Sequence, residues 1–255
     1  MATKKWAKFP HDQKAITFST EALKKQWADL HKGDCEPLPK EAGTLEAWRQ
    51  FHAGNFQAAA EHGLNSTVGI KATAIYATYF ESKEAAKLAL YQEAMAAAEA
   101  LMANEPKNPN AFYQYAYSAG RYSQGISIVK ALSQGYGGKI KKALETCLKL
   151  DPKHAEAHTA MGAYHAEIID KVGGMVGKLT YGTSKDVGLE HFEKAIKLNS
   201  NSPIAHIEYA NGLMMLFGNK KVDEASALYE KAAGFKGRDA MEVLDIVLAK
   251  EELSE

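Results

Sequence analysis

Four histidines stand at spacings that could hold a metal. His154 and His158 are one helical turn apart, His165 follows seven residues later, and His206 occupies the position equivalent to His158 in a later segment. Two such imidazoles with a carboxylate, Glu156 or Glu167, would suffice for a zinc site and hence for a metal-dependent enzyme. A packing role is the simpler reading. His158 and His206 fall where a bulky side chain is needed between paired helices, and His154 falls at a turn. No His-Glu-x-x-His, nucleophile-elbow or paired-cysteine motif is present, and no acid and base stand at a spacing that demands catalysis. Two glycine-rich segments end in lysine, Ser133-Gln-Gly-Tyr-Gly-Gly-Lys139 and Val172-Gly-Gly-Met-Val-Gly-Lys178. A phosphate-binding loop needs a first glycine, and a hydroxyl after the lysine to reach magnesium. Here Ser133 and Val172 replace the glycine, Ile140 and Leu179 replace the hydroxyl, and no strand precedes either segment. The residues thus assign no catalytic group, no metal and no cofactor. The richest polar-aromatic cluster is Phe112, Tyr113, Tyr115, Tyr117 and Tyr122. Tyrosine supplies much contact area for little lost entropy, which suits binding rather than bond-making.

Composition frames that reading. The chain has 255 residues, 46% apolar and 24% charged, with a formal net charge of +0. It is large enough for a sizeable core and has no global pull toward nucleic acid or an anionic membrane. The charge is uneven: residues 1–32 hold seven lysines and three acids, and residues 239–255 hold six acids and one lysine. Cys35 and Cys147 have no metal-ligand spacing and are expected to be reduced thiols of a cytoplasmic protein, Cys147 being buried. No stretch approaches the ~20 apolar residues of a membrane span, and the N-terminus does not read as a signal peptide.

The elements that position these residues are helices almost throughout. Hydrophobic spacing predicts helices at 19–31, 44–53, 56–64, 67–81, 83–104, 110–133, 139–150, 155–171, 185–198, 203–217, 221–233 and 238–252. Ser19, Ser82 and Ser184 read as N-caps. Gly33, Gly54, Gly218 and Gly234 stand where helices should stop. Three segments align without gaps around a helix-to-helix corner: Leu101–Ala116, Cys147–Gly162 and Ala195–Ala210. Their corner positions, Pro106, Pro152 and Ser200, are separated by 46 and 48 residues. The extra length lies between the two helices of each pair, at Arg121–Gly138 and Ala166–Ser184. The first insertion is expected to prolong its helix. The second, with four glycines, is expected to be a loop or broken helix in which Met175–Tyr181 forms a surface loop or a small hook for a membrane or partner.

The corner pattern resembles the tetratricopeptide (TPR) helical hairpin, whose plain form repeats every 34 residues. The resemblance implies an all-α, TPR-like right-handed α-solenoid of antiparallel helix pairs with two inter-helix insertions. Residues 1–43 are expected to form an N-terminal helical cap segment, 44–237 the repeat array, and 238–255 a C-terminal capping helix. Extended helix pairs, the Gly-Lys-Leu-Thr-Tyr-Gly-Thr183 loop and Leu189-Glu-His-Phe192-Glu-Lys-Ala195 further resemble the regulator of microtubule dynamics family and its bacterial relatives, over residues 85–235. That family offers no catalytic motif to carry over.

The repeat register places Asn110, Tyr113, Gln114, Tyr117 and Arg121 on the concave surface, with Asn108 at the turn. Next along it come His154, Glu156, Thr159, Ala163 and Glu167, then Asn201, Ile204, Ile207, Asn211 and Met215. The expected function is a non-enzymatic scaffold that binds a protein or peptide segment in this groove. Tyr113, Tyr117 and Arg121 would be anchors, Asn108, Asn110, Gln114 and Asn211 polar readers, and Glu167 a groove residue. The alternative is a small-molecule-binding accessory protein, for which the TPR component of TRAP transporters is a precedent. Neither reading assigns a nucleic acid, an integral membrane segment or an oligomeric state.

Overall fold

The computed structural model describes residues 5–63 and 65–254, and among these there is no strand. The helices are α1 (Thr20–Leu30), α2 (Ala42–His52), α3 (Phe56–His62), α4 (Thr67–Tyr79), α5 (Glu84–Asn104), α6 (Pro109–Gln124), α7 (Ile128–Ser133), α8 (Tyr136–Leu150), α9 (Ala155–Val172), α10 (Gly174–Val176), α11 (Lys185–Leu198), α12 (Pro203–Phe217), α13 (Val222–Ala233) and α14 (Ala240–Glu252). The pairs α2/α3, α4/α5, α6/α8, α9/α11 and α12/α13 stack in order into a solenoid. Caps follow local chemistry: Ser19, Ser127, Ser202 and Asp239 each accept from a first-turn amide. Two expected caps behave otherwise. Ser184 precedes α11 without a side-chain cap, and Lys83 rather than Ser82 precedes α5.

Helices α2, α4, α6, α9 and α12 form an inner layer, each packed on the next, and α14 packs on α12 and returns to α2. The inner layer therefore closes on itself. Helix α4 is buried at every residue from Thr67 to Ala77. Residues 5–41 complete the closure. Phe9, Ile16, Phe18, Leu23 and Trp27 share one core with Trp48, Phe51, Ala240 and Leu244, and Trp6 stacks on Tyr76 at 4.1 Å. Among the described residues no helix is long and apolar enough to cross a membrane.

The first insertion differs from expectation. Helix 110–133 is broken: α6 ends at Gly125, Ser127 caps α7, and α8 starts at Tyr136 rather than 139. Gly125 lies against α5, where a Cβ would come within 2.5 Å of Glu84 and 2.8 Å of Leu88. The chain leaves the helix there and folds α7 back. In the second insertion Gly173 (φ +82) and Gly182 (φ +64) bracket α10 and a π-helical turn over Gly177–Tyr181.

A single ring wedges three helices together. Phe192 of α11 is fully buried and stacks on Tyr209 at 5.1 Å. A Cβ on Gly162 of α9 would come within 2.8 Å of that ring, and one on Gly212 of α12 within 2.4 Å. Both glycines serve close approach. Gly212→Ala should therefore lower stability by about 1–3 kcal/mol. Gly138→Ala in α8, where an added Cβ meets nothing, should raise it by about 0.5–1 kcal/mol. Urea unfolding of the two variants checks both signs.

Candidate functional site

The interior of the closed layer is occupied by a buried polar lock. The 31–36 segment, turned inward through Cys35 (φ +52), brings His31, Asp34 and Glu36 against α4, α6 and α9. Lys71 of α4 donates to Asp34 Oδ2 at 2.7 Å and to Glu156 Oε1 at 3.1 Å. Burial alone would strip the proton from Lys71. The two carboxylates overcome it and hold the ammonium above the ordinary lysine range. Burial likewise opposes the charge on Asp34, but Lys71 and His31 hold its carboxyl well below the usual range. The Glu156 amide donates to Gly33 O at 3.0 Å, so one residue ties backbone and charge together.

The lock continues to α14. His31 Nδ1 lies 2.9 Å from Asp34 Oδ1, His52 Nδ1 lies 2.8 Å from Asp239 Oδ2, and the two Nε2 atoms lie 3.2 Å apart. Both aspartates are held below their ordinary range. Burial lowers His31 below the ordinary histidine range, and Asp34 opposes that shift.

Beside the lock, an apolar cleft of about 230 Å³ runs between α6, α7, α8, α9 and α12. Tyr113, Tyr117 and Arg121 form one wall, Glu156, Thr159, Ala163 and Glu167 the floor, and Ile204 and Glu208 the far side. Repeat register had placed all of these on the concave face except Glu208. Arg121 donates to Glu208 at 2.7 Å and lies over the Tyr117 ring at 5.5 Å. Tyr117 shares a 2.9 Å hydrogen bond with Thr78. Gln124 donates to Glu167, whose carboxyl is pushed up to about 7, first by burial and then by Glu208. The fourth wall, Ile126, Ile128, Leu132, Tyr136, Ile140 and Leu144, was missed. Its signal was present in the apolar spacing of 126–132, which serves a segment folded over the cleft rather than a longer helix.

The remaining expected groove residues have other work. Asn110 faces inward but is fully buried beneath the 31–36 segment. It donates to Asp34 O at 3.0 Å and to Glu36 Oε2 at 2.6 Å, and it accepts from His154 Nε2 at 2.8 Å. Asn108 caps α6. Gln114 is buried at 1% exposure; its Nε2 and Asp245 Oδ2 find no partner among the described residues and line a recess of about 30 Å³, space for one water or a small polar group. Asn211 accepts from Tyr229, Ile207 joins the α13–α14 core, and Asn201 and Met215 lie in solvent.

The histidines act in packing and capping. His154 caps α9, and burial lowers it to about 4. His158 and His206 each bond a carbonyl at their own corner, Pro152 O at 3.1 Å and Ser202 O at 2.8 Å. Among the described residues no three His, Cys, Asp or Glu side chains converge as metal ligands. Both cysteines are free, and burial pushes the Cys35 thiol up to about 12. Lys139, the end of the first glycine-rich segment, lies over the Tyr136 ring at 5.4 Å.

Comparison with known proteins agrees with this architecture. Residues 56–232 match the family model of regulator of microtubule dynamics protein 1-3, beginning about one helix pair earlier than the sequence resemblance. A thermophilic TPR protein from Thermus thermophilus superposes with a TM-score of 0.56 at 16% identity, covering 82% of this chain and 97% of the other. That likeness concerns the fold. No curated protein sequence matches the chain.

Two substitutions test the lock. Lys71→Ala leaves Asp34 and Glu156 buried without their cation and should cost about 3–5 kcal/mol. The triple change Lys71→Met, Asp34→Asn, Glu156→Gln should cost less than Lys71→Ala alone, as read by denaturant unfolding. Glu36 tests pH linkage. Its carboxyl is pushed up to about 8, first by burial and then by Asp34. It ionises near 4.3 in the unfolded chain, so the fold loses stability as pH rises from there toward 8. Glu36→Gln removes that loss and should raise stability at pH 8 by about 1–2 kcal/mol, discounted for partial exposure. Its effect at pH 4 should be close to zero.

Proposed function

The chain belongs to the regulator of microtubule dynamics family, and from that premise we propose that it is a non-enzymatic, cytoplasmic scaffold that holds a protein or peptide segment in the cleft between α6, α7, α8, α9 and α12. The observation that carries the reading is the cleft's two-sided chemistry. Aliphatic side chains of α7 and α8 face tyrosines and an arginine of α6 across about 230 Å³. A space of that size takes a few apolar or aromatic side chains of a partner. Arg121 and Glu208 at its sides, with Glu167 on its floor, would meet the partner's polar groups. Stacked helix pairs with an inner binding surface are a common vehicle for such recognition, and tyrosine and arginine are the residues that most often dominate it. Tyr113 and Tyr117 are anchored from behind by the buried lock and by Thr78, so the wall is preorganised and little entropy is lost on binding. The transport-accessory alternative draws no support from either comparison.

The test is capture of partners by the full chain, with the cross-linked partner peptides identified. Tyr117→Ala with Arg121→Ala should keep the helical circular-dichroism spectrum and lose the captured partner. Adding bulk at the floor with Ala163→Trp should do the same. Retention of the same partner by both variants would sink the assignment of the cleft.

A further inference from the structure

The two insertions meet at one edge of the molecule. Lys141 Nζ of α8 donates to Tyr181 O of the π-helical turn at 2.9 Å. The Tyr181 ring lies so close to Gly137 that a Cβ there would come within 2.9 Å of it. This edge exposes large apolar side chains on both segments. Val129 is 74% exposed and Ile128 42% on α7; Met175 is 79%, Val176 50% and Leu179 81% exposed around α10. The other exposed large apolar residues, such as Leu38, Val222 and Leu253, are scattered singly, which is ordinary for a protein surface.

The charge of the same two segments is one-sided. Residues 127–144 contain Lys130, Lys139, Lys141 and Lys142 and no acid, and residues 171–185 contain Lys171, Lys178 and Lys185 and no acid, in a chain whose formal net charge is +0. The neighbouring acids are Glu145, which approaches Lys141 at 3.9 Å, Asp170, which pairs with Lys171 at 2.8 Å, and Asp186 at the start of α11. Lys185 is engaged with Leu216 O. Among the described residues Lys130, Lys139, Lys142 and Lys178 have no carboxylate partner and are exposed.

We propose that this edge docks on an anionic lipid surface. Met175, Val176 and Leu179, with Val129, enter the headgroup region, and Lys130, Lys139, Lys142 and Lys178 meet lipid phosphates. Apolar side chains on a short glycine-bracketed hook ringed by long cationic stems match what an interface between water and acyl chains requires. The apolar parts sit below the headgroups while the lysines reach the charged layer. The charge of the edge selects the occupant: lysines without any acid over both segments suit a surface of uniform negative charge. The docking is separate from the cleft reading, because the exposed hook residues do not line the cleft.

The experiment is co-sedimentation of the full chain with vesicles of phosphatidylcholine alone and of phosphatidylcholine with phosphatidylserine. The protein should pellet with the mixed vesicles, release as salt rises, and stay in solution with phosphatidylcholine alone. Met175→Asp with Leu179→Asp, and separately Lys130→Glu with Lys178→Glu, should each weaken the association roughly tenfold or more. All four positions are exposed, so folding is kept. Leu179→Trp should show a blue-shifted emission on the mixed vesicles. Tyr117→Ala with Arg121→Ala should pellet as the unaltered protein does, which separates this result from failure of the cleft. No pelleting with the mixed vesicles, pelleting that both charge and hook variants leave unchanged, or an unshifted Leu179→Trp emission would overturn the proposal. Loss of a captured protein partner from the hook variants, with vesicle binding intact, would overturn it equally.

Discussion

The ammonium of Lys71 between Asp34 and Glu156 is the contact on which the rest of the architecture turns. It joins three parts of the chain far apart in sequence: the N-terminal segment, α4 and α9. Stacked helix pairs need only their neighbours for stability, so a repeat array has no intrinsic reason to close. Here a core shared by residues 5–41, α2 and α14 closes it, and the buried charges fix how the closing segment sits. Any of the three charges, buried alone, would be driven neutral. Together they are stable only in the arrangement that brings the 31–36 segment under α6 and α9. Apolar replacement of such a cluster often matches it in stability, so what the cluster contributes is position. It admits one placement of the N-terminal segment, and the His31–His52 pair extends that placement to Asp239 at the head of α14.

Closure decides which part of the inner face stays open. An open superhelix would offer its whole concave face, including Asn110 and Gln114. The lock occupies that half of the interior with groups that bond one another. What remains is the sector where the α6–α8 connection has been lengthened, and there the added chain supplies an aliphatic wall that a plain helix pair lacks. The same added length does two jobs on its two sides. Ile126, Leu132 and Ile140 face the cleft, while Val129 on the outer side stands in solvent.

The fold was legible because helix pairs are written in local periodicity. The corners at Pro106, Pro152 and Ser200 set a register, and that register put Tyr113, Tyr117, Arg121, Thr159 and Glu167 on the inner surface, where they stand. Asn110 and Gln114 are buried for a reason no local pattern contains: inner positions are open only if nothing returns to cover them. The N-terminal segment that covers Asn110 lies about 75 residues away in sequence, and Gln114 sits beside Met241 and Asp245 of α14. The charges that form the lock, Asp34, Lys71, Glu156 and Asp239, look like any surface residues in a composition count. Only a closed topology brings them together. The break at Gly125 was missed for a related reason. Glycine within a helical pattern is usually tolerated, and the side chains of Glu84 and Leu88 that crowd it belong to another helix.

A locked interior beside an open cleft also separates groups whose hydrogen bonds are committed from groups that face open space. Groups whose hydrogen bonds are internal must break them to engage anything else, and the low-dielectric setting makes each break costly. Asn110, His154 and the Lys71 triad are in that position. Arg121 differs: its guanidinium is partly exposed at the cleft, where it pairs with Glu208 of α12. Glu167 faces the same cleft, and burial pushes its carboxyl up to about 7. Recognition would therefore be confined to side chains of α6, α9 and α12 that already point into the space, moving on a frame that the buried charges hold still.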